Sequence, residues 1–242
     1  MSDYAGKIIW IIGASSGIGH ALAIEMDRRG AKLILSARNK ERLHALNADL
    51  SGRHLVFAVD VTNAEGVEKA ATDIFRSNVD SVVFLAGVYQ PSALSNLDLQ
   101  VCRDILATNL GGAFNLIAAV LPHHPAQIAL CASVVGYRGL PNAQPYGAAK
   151  AGLINLTESL RAEMRDKGID IRLINPGFVR TPMTAKNKFP MPMMIEPQEA
   201  ARAIADGLLE RAFEIHFPKR FTWLLKLARF IPHRLYFALV PR

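Results

Sequence analysis

Lys7-Ile8-Ile9-Trp10-Ile11-Ile12-Gly13-Ala14-Ser15-Ser16-Gly17-Ile18-Gly19 is the stretch that decides the fold. After Lys7, five residues form a short apolar run, as suits a strand buried on both faces of a parallel sheet. Glycines follow where side chains would obstruct. Gly13 lets the chain turn sharply, Gly17 lets backbone approach a diphosphate, and Gly19 lets the next helix pack tightly on the strand. A helix opening there offers unpaired N–H groups and a favourable dipole to an anion. A glycine triplet alone is weak, because ordinary turns use glycine too. A strand before it and a helix after it supply the context a dinucleotide loop needs. Gly13, Ser15, Ser16, Gly17, Ile18 and Gly19 are the expected cofactor-binding residues of this loop.

Outward from this stretch the pattern repeats. Short runs rich in Val, Ile and Leu at 32–36, 54–59, 81–85, 127–131 and 170–174 read as strands, with a late candidate at 214–217. Helical stretches lie between them at 17–29, 40–50, 64–77, 99–120, 146–166 and 197–211. Strict β-α alternation implies right-handed crossovers and an α/β fold: a Rossmann-like, doubly wound parallel sheet with helices on both faces. Residues 1–217 read as a single dinucleotide-binding and catalytic domain, with a lid at about 182–197 and a basic tail at 218–242.

Bulk properties narrow the function. The 242 residues are half apolar and 20% charged, which fits one large globular domain. Cys102 and Cys131 are the two cysteines, with no Cys-x-x-Cys, so neither a disulfide framework nor a zinc site is expected, and no metal. The N-terminus lacks a basic segment followed by a long apolar one, and no run of about 18 uncharged apolar residues appears. A cytoplasmic protein without a spanning helix is expected. The net charge is +7, but six Lys and Arg and no acid fall between Pro218 and Arg242. The body is therefore nearly neutral, which argues against a nucleic-acid partner.

About 20 residues after the glycine loop, the second strand ends at Ser36-Ala37-Arg38-Asn39. An acid there binds the ribose 2′-hydroxyl of NAD. Arg38 stands instead, and a guanidinium pairs well with a 2′-phosphate, so NADP(H) is favoured over NAD. The plainer alternative is a solvated loop arginine. Asp60-Val61, at the end of the third strand, places a carboxylate where an adenine amino group is read. Alternatively, Asp60 or Thr62 caps the next helix.

Tyr146-Gly147-Ala148-Ala149-Lys150 sets a phenol and an ammonium four residues apart, on one helix face. A nearby cation stabilises tyrosinate and turns tyrosine into a usable acid/base for carbonyl and alcohol interconversion. The spacing by itself is common on surface helices. Its place after the fifth strand, at the carboxyl side of the sheet, is what makes it informative. Ser133 lies 13 residues earlier, just past that strand, able to donate to a substrate oxygen, although a serine there often only caps a loop. Asn109 sits inside a helical pattern where Asn is a mediocre former, and is expected to bend that helix and hold a water.

Together these residues resemble the short-chain dehydrogenase/reductase family in its compact, NADP-preferring form, over about residues 7–183. The resemblance rests on Gly13–Gly19, Asp60, Ala86-Gly87, Asn109, Ser133, Tyr146 with Lys150, and Pro176-Gly177 with Thr181. It implies that Tyr146 is the general acid/base. Lys150 would lower its pKa and bind the nicotinamide ribose, Ser133 would orient the carbonyl, and Asn109 would hold a relay water. It implies further cofactor contacts from Val61, Ala86, Gly87, Pro176, Gly177, Val179 and Thr181, and a homodimer or homotetramer. Two positions depart from the family pattern: Leu85 replaces a polar residue that braces the sheet, and Ile12 stands where threonine is common.

Four of the seven methionines fall between Met183 and Met194, with Pro190 and Pro192 disfavouring a continuous helix. A flexible apolar cover suits an apolar, bulky substrate, and equally suits simple packing of the lid on the body. In the tail, Phe221, Leu224, Leu225, Ala228 and Ile231 recur at helical spacing beside Lys219, Arg220, Lys226 and Arg229. Such a helix packs on a second subunit or across the cleft. Peripheral contact with an anionic membrane is the alternative. The expected activity is NADP(H)-dependent interconversion of a carbonyl and a secondary alcohol. The competing readings are a membrane-associated ketone reductase for a lipid or steroid, and a non-catalytic dinucleotide-binding sensor or scaffold.

Overall fold

The run after Lys7 becomes β1 (Ile8–Ile12), and the two faces of this strand explain the whole architecture. Trp10 and Ile12 enter one core layer while Ile9 and Ile11 enter the other, and all four are essentially fully buried. A strand apolar on both faces must be covered on both. The computed structural model describes residues 3–240; Met1, Ser2, Pro241 and Arg242, which the expected domain and tail bounds include, lie outside the described residues.

The other strands are β2 (Lys32–Ala37), β3 (Leu55–Ala58), β4 (Ser81–Phe84), β5 (Gln127–Cys131), β6 (Asp170–Pro176) and β7 (Glu214–Phe217). They form one parallel sheet in the order β3-β2-β1-β4-β5-β6-β7. Ile12 pairs with Ser36 on one side and Phe84 on the other, so the order reverses at β1 and opens a crevice beyond its carboxyl end. The helices are α1 (Gly17–Arg28), α2 (Lys40–Leu50), α3 (Ala64–Ile74), α4 (Leu99–Leu106), α5 (Gly112–Val120), α6 (Tyr146–Met164), α7 (Pro197–Leu209), α8 (Lys219–Ala228) and α9 (His233–Leu239). Helices α1, α2 and α7 cover one face of the sheet, and α3, α5 and α6 cover the other. Trp10 satisfies its buried indole N–H by donating to Ser36 Oγ at 2.9 Å.

Three expectations are corrected. The helical pattern at 99–120 is not one α-helix: α4 and α5 are joined by a π-helical turn, Ala107–Gly111. Asn109 points its amide at the backbone of Val88, and Gly112 lets α5 come so close that a Cβ there would lie 2.6 Å from Val61 Cγ2. The stretch Leu99–His123, with a mean hydropathy of 1.6, is long and apolar enough by composition to cross a membrane, contrary to the expectation of none. Arg103 and Asp104 punctuate its start, but no charge follows until His123. Nearly half of its apolar window, 44%, is buried inside the fold, as befits a core helix. The tail is two helices rather than one, because Pro232 ends the first pattern and precedes α9. Ile231, expected on the stripe of the first helix, lies in the link between them.

Candidate active site

The glycine loop is built by close approach. Gly13 has φ +97, and a Cβ there would meet Ala86 N at 2.7 Å, so the loop lies directly on the end of β4. A Cβ on Gly19 would stand 2.2 Å from Gly13 O, which packs α1 onto the loop as expected. Gly17, at φ +57, faces Thr181 Cγ2 at 3.4 Å, so the loop looks across at the segment after β6. Ser16 takes the N-cap position of α1 without a side-chain cap bond. The first N–H groups of α1 thus keep their free direction toward the crevice, with Ser15 and Ile18 half-buried beside them.

Across from this loop's far end, Arg38 is exposed at the end of β2. Asp60 Oδ1 accepts from Thr62 N at 2.9 Å and Thr62 Oγ1 at 2.8 Å. Neither of these residues caps α3; Asn63 does, accepting from Gly66 N at 3.1 Å. Burial works to raise the Asp60 carboxyl, but the two Thr62 bonds and the positive charge of Arg38 outweigh it and hold the group below its ordinary value. Arg38 and Asp60 therefore belong to one electrostatic neighbourhood. Val61 is buried and supports α5 through Gly112.

At the catalytic end, the chain leaves β5 at Cys131 and turns at Ser133 into a short 3-10 turn, Val134–Gly136. Gly136 is pressed against α6: a Cβ there would lie 2.7 Å from the carbonyl carbon of Lys150. Tyr146 opens α6 and is half-buried, and Lys150, one turn further on, is buried. Lys150 Nζ donates to the Cys131 carbonyl at 2.7 Å and sits 5.5 Å from the centre of the Tyr146 ring. Ser133 lies beside the Tyr146 side chain and near the Pro176 carbonyl, Oγ to O at 3.5 Å.

Burial pushes the Tyr146 phenol far above its ordinary value, and the neighbouring Cys131 adds to this, while the bond with Ser133 works the other way. Burial likewise pulls the Lys150 ammonium down, against the influence of Cys131. In the resting chain desolvation dominates at Tyr146, and the Lys150 ammonium is held by the Cys131 carbonyl. Burial thus holds Tyr146 in its neutral phenol form.

Asn109 is fully buried, and its side chain is taken up at both ends by Val88, accepting from its N–H at 2.9 Å and donating to its carbonyl at 2.8 Å. Gly87 makes room for this, since a Cβ there would lie 2.6 Å from Asn109 Oδ1 and 3.8 Å from Lys150 Nζ. Gly87, Asn109 and Lys150 thus lie together on one side, next to Ala86. Pro176 and Gly177 lie on the other, with Gly177 N bonded to Phe217 O at 2.7 Å. Val179 is tied to Ile195 and Thr181 to Thr184, which closes the base of the lid.

Two contributors escape a reading by sequence. Tyr89 sets its ring 5.0 Å from that of Tyr146, edge to face, and its hydroxyl donates to Asn187 Oδ1 of the lid at 2.8 Å. Gly136 controls how closely α6 approaches. Tyr89 follows the Ala86-Gly87 motif by two residues on the same strand end, a signal that position alone offered.

Residues 7–190 match the family model described as short chain dehydrogenase. An uncharacterized oxidoreductase of Myxococcus xanthus is 31% identical over 251 aligned positions, covering 100% of this chain and 99% of the relative. A 3-oxoacyl-[acyl-carrier-protein] reductase FabG of Vibrio cholerae is 35% identical, covering 83% of this chain and 88% of its own. Among solved structures, a short chain dehydrogenase from Burkholderia cenocepacia in complex with NADP is similar in fold, with a TM-score of 0.87 at 24% identity over 98% of this chain and 99% of that one. A short-chain dehydrogenase from Streptomyces avermitilis has a TM-score of 0.81 at 26% identity, over 93% and 92% of the two chains.

Proposed function

The chain belongs to the short-chain dehydrogenase family, an oxidoreductase family, and from that premise we propose that it reduces a carbonyl on an apolar substrate to a secondary alcohol with NADPH. The observation that carries this reading is the gathering of Ser133, Tyr146 and Lys150 at the carboxyl end of β5, facing the crevice where the Gly13–Gly19 loop lies.

The crevice fits a dinucleotide by its own geometry. Gly13 and Gly17 have positive φ, and the N-terminus of α1 carries no side-chain cap, so backbone N–H groups remain for a diphosphate. Ser15, Ser16, Ile18 and Gly19 complete that cradle. Arg38 and Asp60 would hold the adenosine end, the guanidinium on a 2′-phosphate and the carboxylate on the adenine amine. Ala86, Gly87, Pro176, Gly177, Val179 and Thr181 would border the nicotinamide. When bound, the cofactor supplies the hydride.

The protein supplies orientation and the proton. Ser133 Oγ donates a hydrogen bond to the substrate oxygen and holds it toward Tyr146. Tyr146, kept neutral by burial, donates its proton as negative charge develops on that oxygen. Lys150, anchored on Cys131, brings positive charge beneath the phenol ring and favours the tyrosinate left behind. Asn109 braces the loop after β4 through Val88 and so fixes the wall against which Lys150 sits. Met183, Met191 and Met194, half-buried in the lid, offer an adaptable apolar cover for the substrate.

The test is a panel of ketone and 3-oxoacyl substrates assayed with NADPH and with NADH by loss of the reduced nicotinamide absorbance. NADPH is expected to be preferred by at least about tenfold in kcat/KM, the scale of one charge-assisted pair. Preference for NADH would overturn the role given to Arg38, and no turnover with any carbonyl would overturn the activity.

A further inference from the structure

The tail is anchored on the rim of the cleft and yet presents an apolar face outward. Its anchors are specific. Phe221 and Thr222 are buried, Phe221 against Gly177 and Phe178, and Thr222 Oγ1 lies 2.6 Å from His216 Nδ1. Lys226 pairs with Glu214 at 2.7 Å. Arg138 donates to the Ile231 carbonyl at 2.7 Å and stacks on the Tyr236 ring at 3.8 Å. With these contacts made, the tail holds its place without its remaining apolar side chains.

Those remaining side chains are concentrated. Of the eighteen large apolar residues that are exposed among the described residues, seven fall between Trp223 and Leu239. Trp223, Leu227 and Phe230 follow one another at helical spacing, with Leu224 beside them, and Phe237 and Leu239 continue on α9. Phe230 is 83% exposed and Phe237 70%. A cluster of this kind on a protein surface marks an interaction site.

Charge identifies the partner. Lys219, Arg220, Arg229 and Arg234 are exposed around the apolar face, and the tail contains no acid. Two-fold pairing of this face with a second copy would set Lys and Arg against Lys and Arg. The rest of the chain is nearly neutral overall, so no net negative charge elsewhere draws this face to a second copy. A surface that is apolar at its centre, cationic at its rim and bears a tryptophan matches the interface of an anionic bilayer.

We propose that α8 and α9 form a docking surface that seats this protein on an anionic lipid bilayer, with the substrate lid beside the lipid. The lid lies next to the tail through Phe178, whose ring contacts Phe221 at 5.4 Å and Phe189 of the lid at 6.1 Å between centres. Phe189 and Met193 are themselves exposed. Delivery of an apolar substrate from the bilayer rests on the proposed activity; the docking itself does not.

The experiment is flotation of the full chain with phosphatidylcholine vesicles and with vesicles of equal parts phosphatidylcholine and phosphatidylglycerol. The chain is expected to float with the anionic vesicles about tenfold better than with neutral ones, and less at high salt. Phe230→Glu with Phe237→Glu is expected to lose that recovery about tenfold, while its melting temperature and NADPH binding stay at wild-type values, since both side chains are exposed. Recovery of the wild-type chain in the soluble fraction with both vesicles would overturn the proposal. So would an unchanged flotation of the double variant. So, too, would loss of an oligomer in that variant by sedimentation velocity without any vesicle binding in the wild type, which would assign the face to a second copy. None of these readouts depends on turnover.

Discussion

Helices α6 and α8 each place a lysine within a turn of an aromatic ring, and the two pairs have opposite fates. Lys150 Nζ lies 5.5 Å from the Tyr146 ring centre, and Lys226 Nζ lies 5.0 Å from that of Trp223. By spacing they are near equivalents. Tyr146 is half-buried beside Ser133, and Lys150 is buried and bonded to the Cys131 carbonyl. Trp223 is 56% exposed and Lys226 spends its charge on Glu214. The helix supplies the pairing in both places, while burial and third parties decide whether the pair suits the proposed proton transfer or ties down the tail. Desolvation makes the first pair responsive to each neighbour, because charges interact strongly where water is excluded.

This contrast can be broken hardest at Gly136. A methyl there meets the backbone of Lys150 and Ala151 at 2.7 to 2.9 Å, and backbone does not yield as a side chain does. Gly136→Ala is expected to cost about 2 kcal/mol of stability, read by denaturant melts. It is also expected to lower turnover about a hundredfold by shifting Tyr146. No comparable loss is expected from a small change at Leu224, which is exposed.

The tail pair is smaller in effect and sensitive to pH. Burial tends to raise the Glu214 carboxyl, but hydrogen bonds from Lys226, Tyr137 and Asn175 outweigh it and hold it below its ordinary value. A depressed carboxylate stabilises the fold above its unfolded pKa and loses that contribution as pH falls through the folded value. Lys226→Met is therefore expected to cost about 1 kcal/mol at neutral pH, allowing for partial solvent screening. The difference from wild type should shrink on acidification below about pH 4.5, where the unfolded glutamate takes up its proton. Thermal melts across pH read this, and a difference that grows toward acid would contradict it.

The smallest expected effect lies between the two regions. Tyr89→Phe removes the bond to Asn187 but keeps the ring against Tyr146. KM is expected to rise about threefold with kcat within about twofold, since the loss of one half-buried hydrogen bond is worth about 1 kcal/mol or less. A large fall in kcat would place Tyr89 in the chemistry instead.

What was legible in the sequence follows the range of the forces involved. The glycine loop and the alternating strands obey rules that act over a few residues, so the sheet and crevice were readable from Lys7 onward. Ser133, Tyr146 and Lys150 stood out by their place after the fifth strand, and the fold sets them near one another. The π-turn at Asn109 was only half readable: a misfit in a helix was visible, but its partner Val88 lies 21 residues away. Tyr89 with Asn187, 98 residues apart, depends on where the lid returns, and no local pattern encodes that. The tail's amphipathic pattern was visible, yet which residues it would bury was fixed by Gly177, Glu214 and Arg138 on the body.

The central claim is that Tyr146 gives the proton while the crevice holds the cofactor independently of it. Tyr146→Phe should bind NADPH within about twofold of wild type by fluorescence titration, because the hydroxyl is absent from the phosphate cradle. Its carbonyl reduction should fall by about a thousandfold or more, the scale of a lost general acid. A variant that binds NADPH and reduces the carbonyl at the wild-type rate would contradict the account.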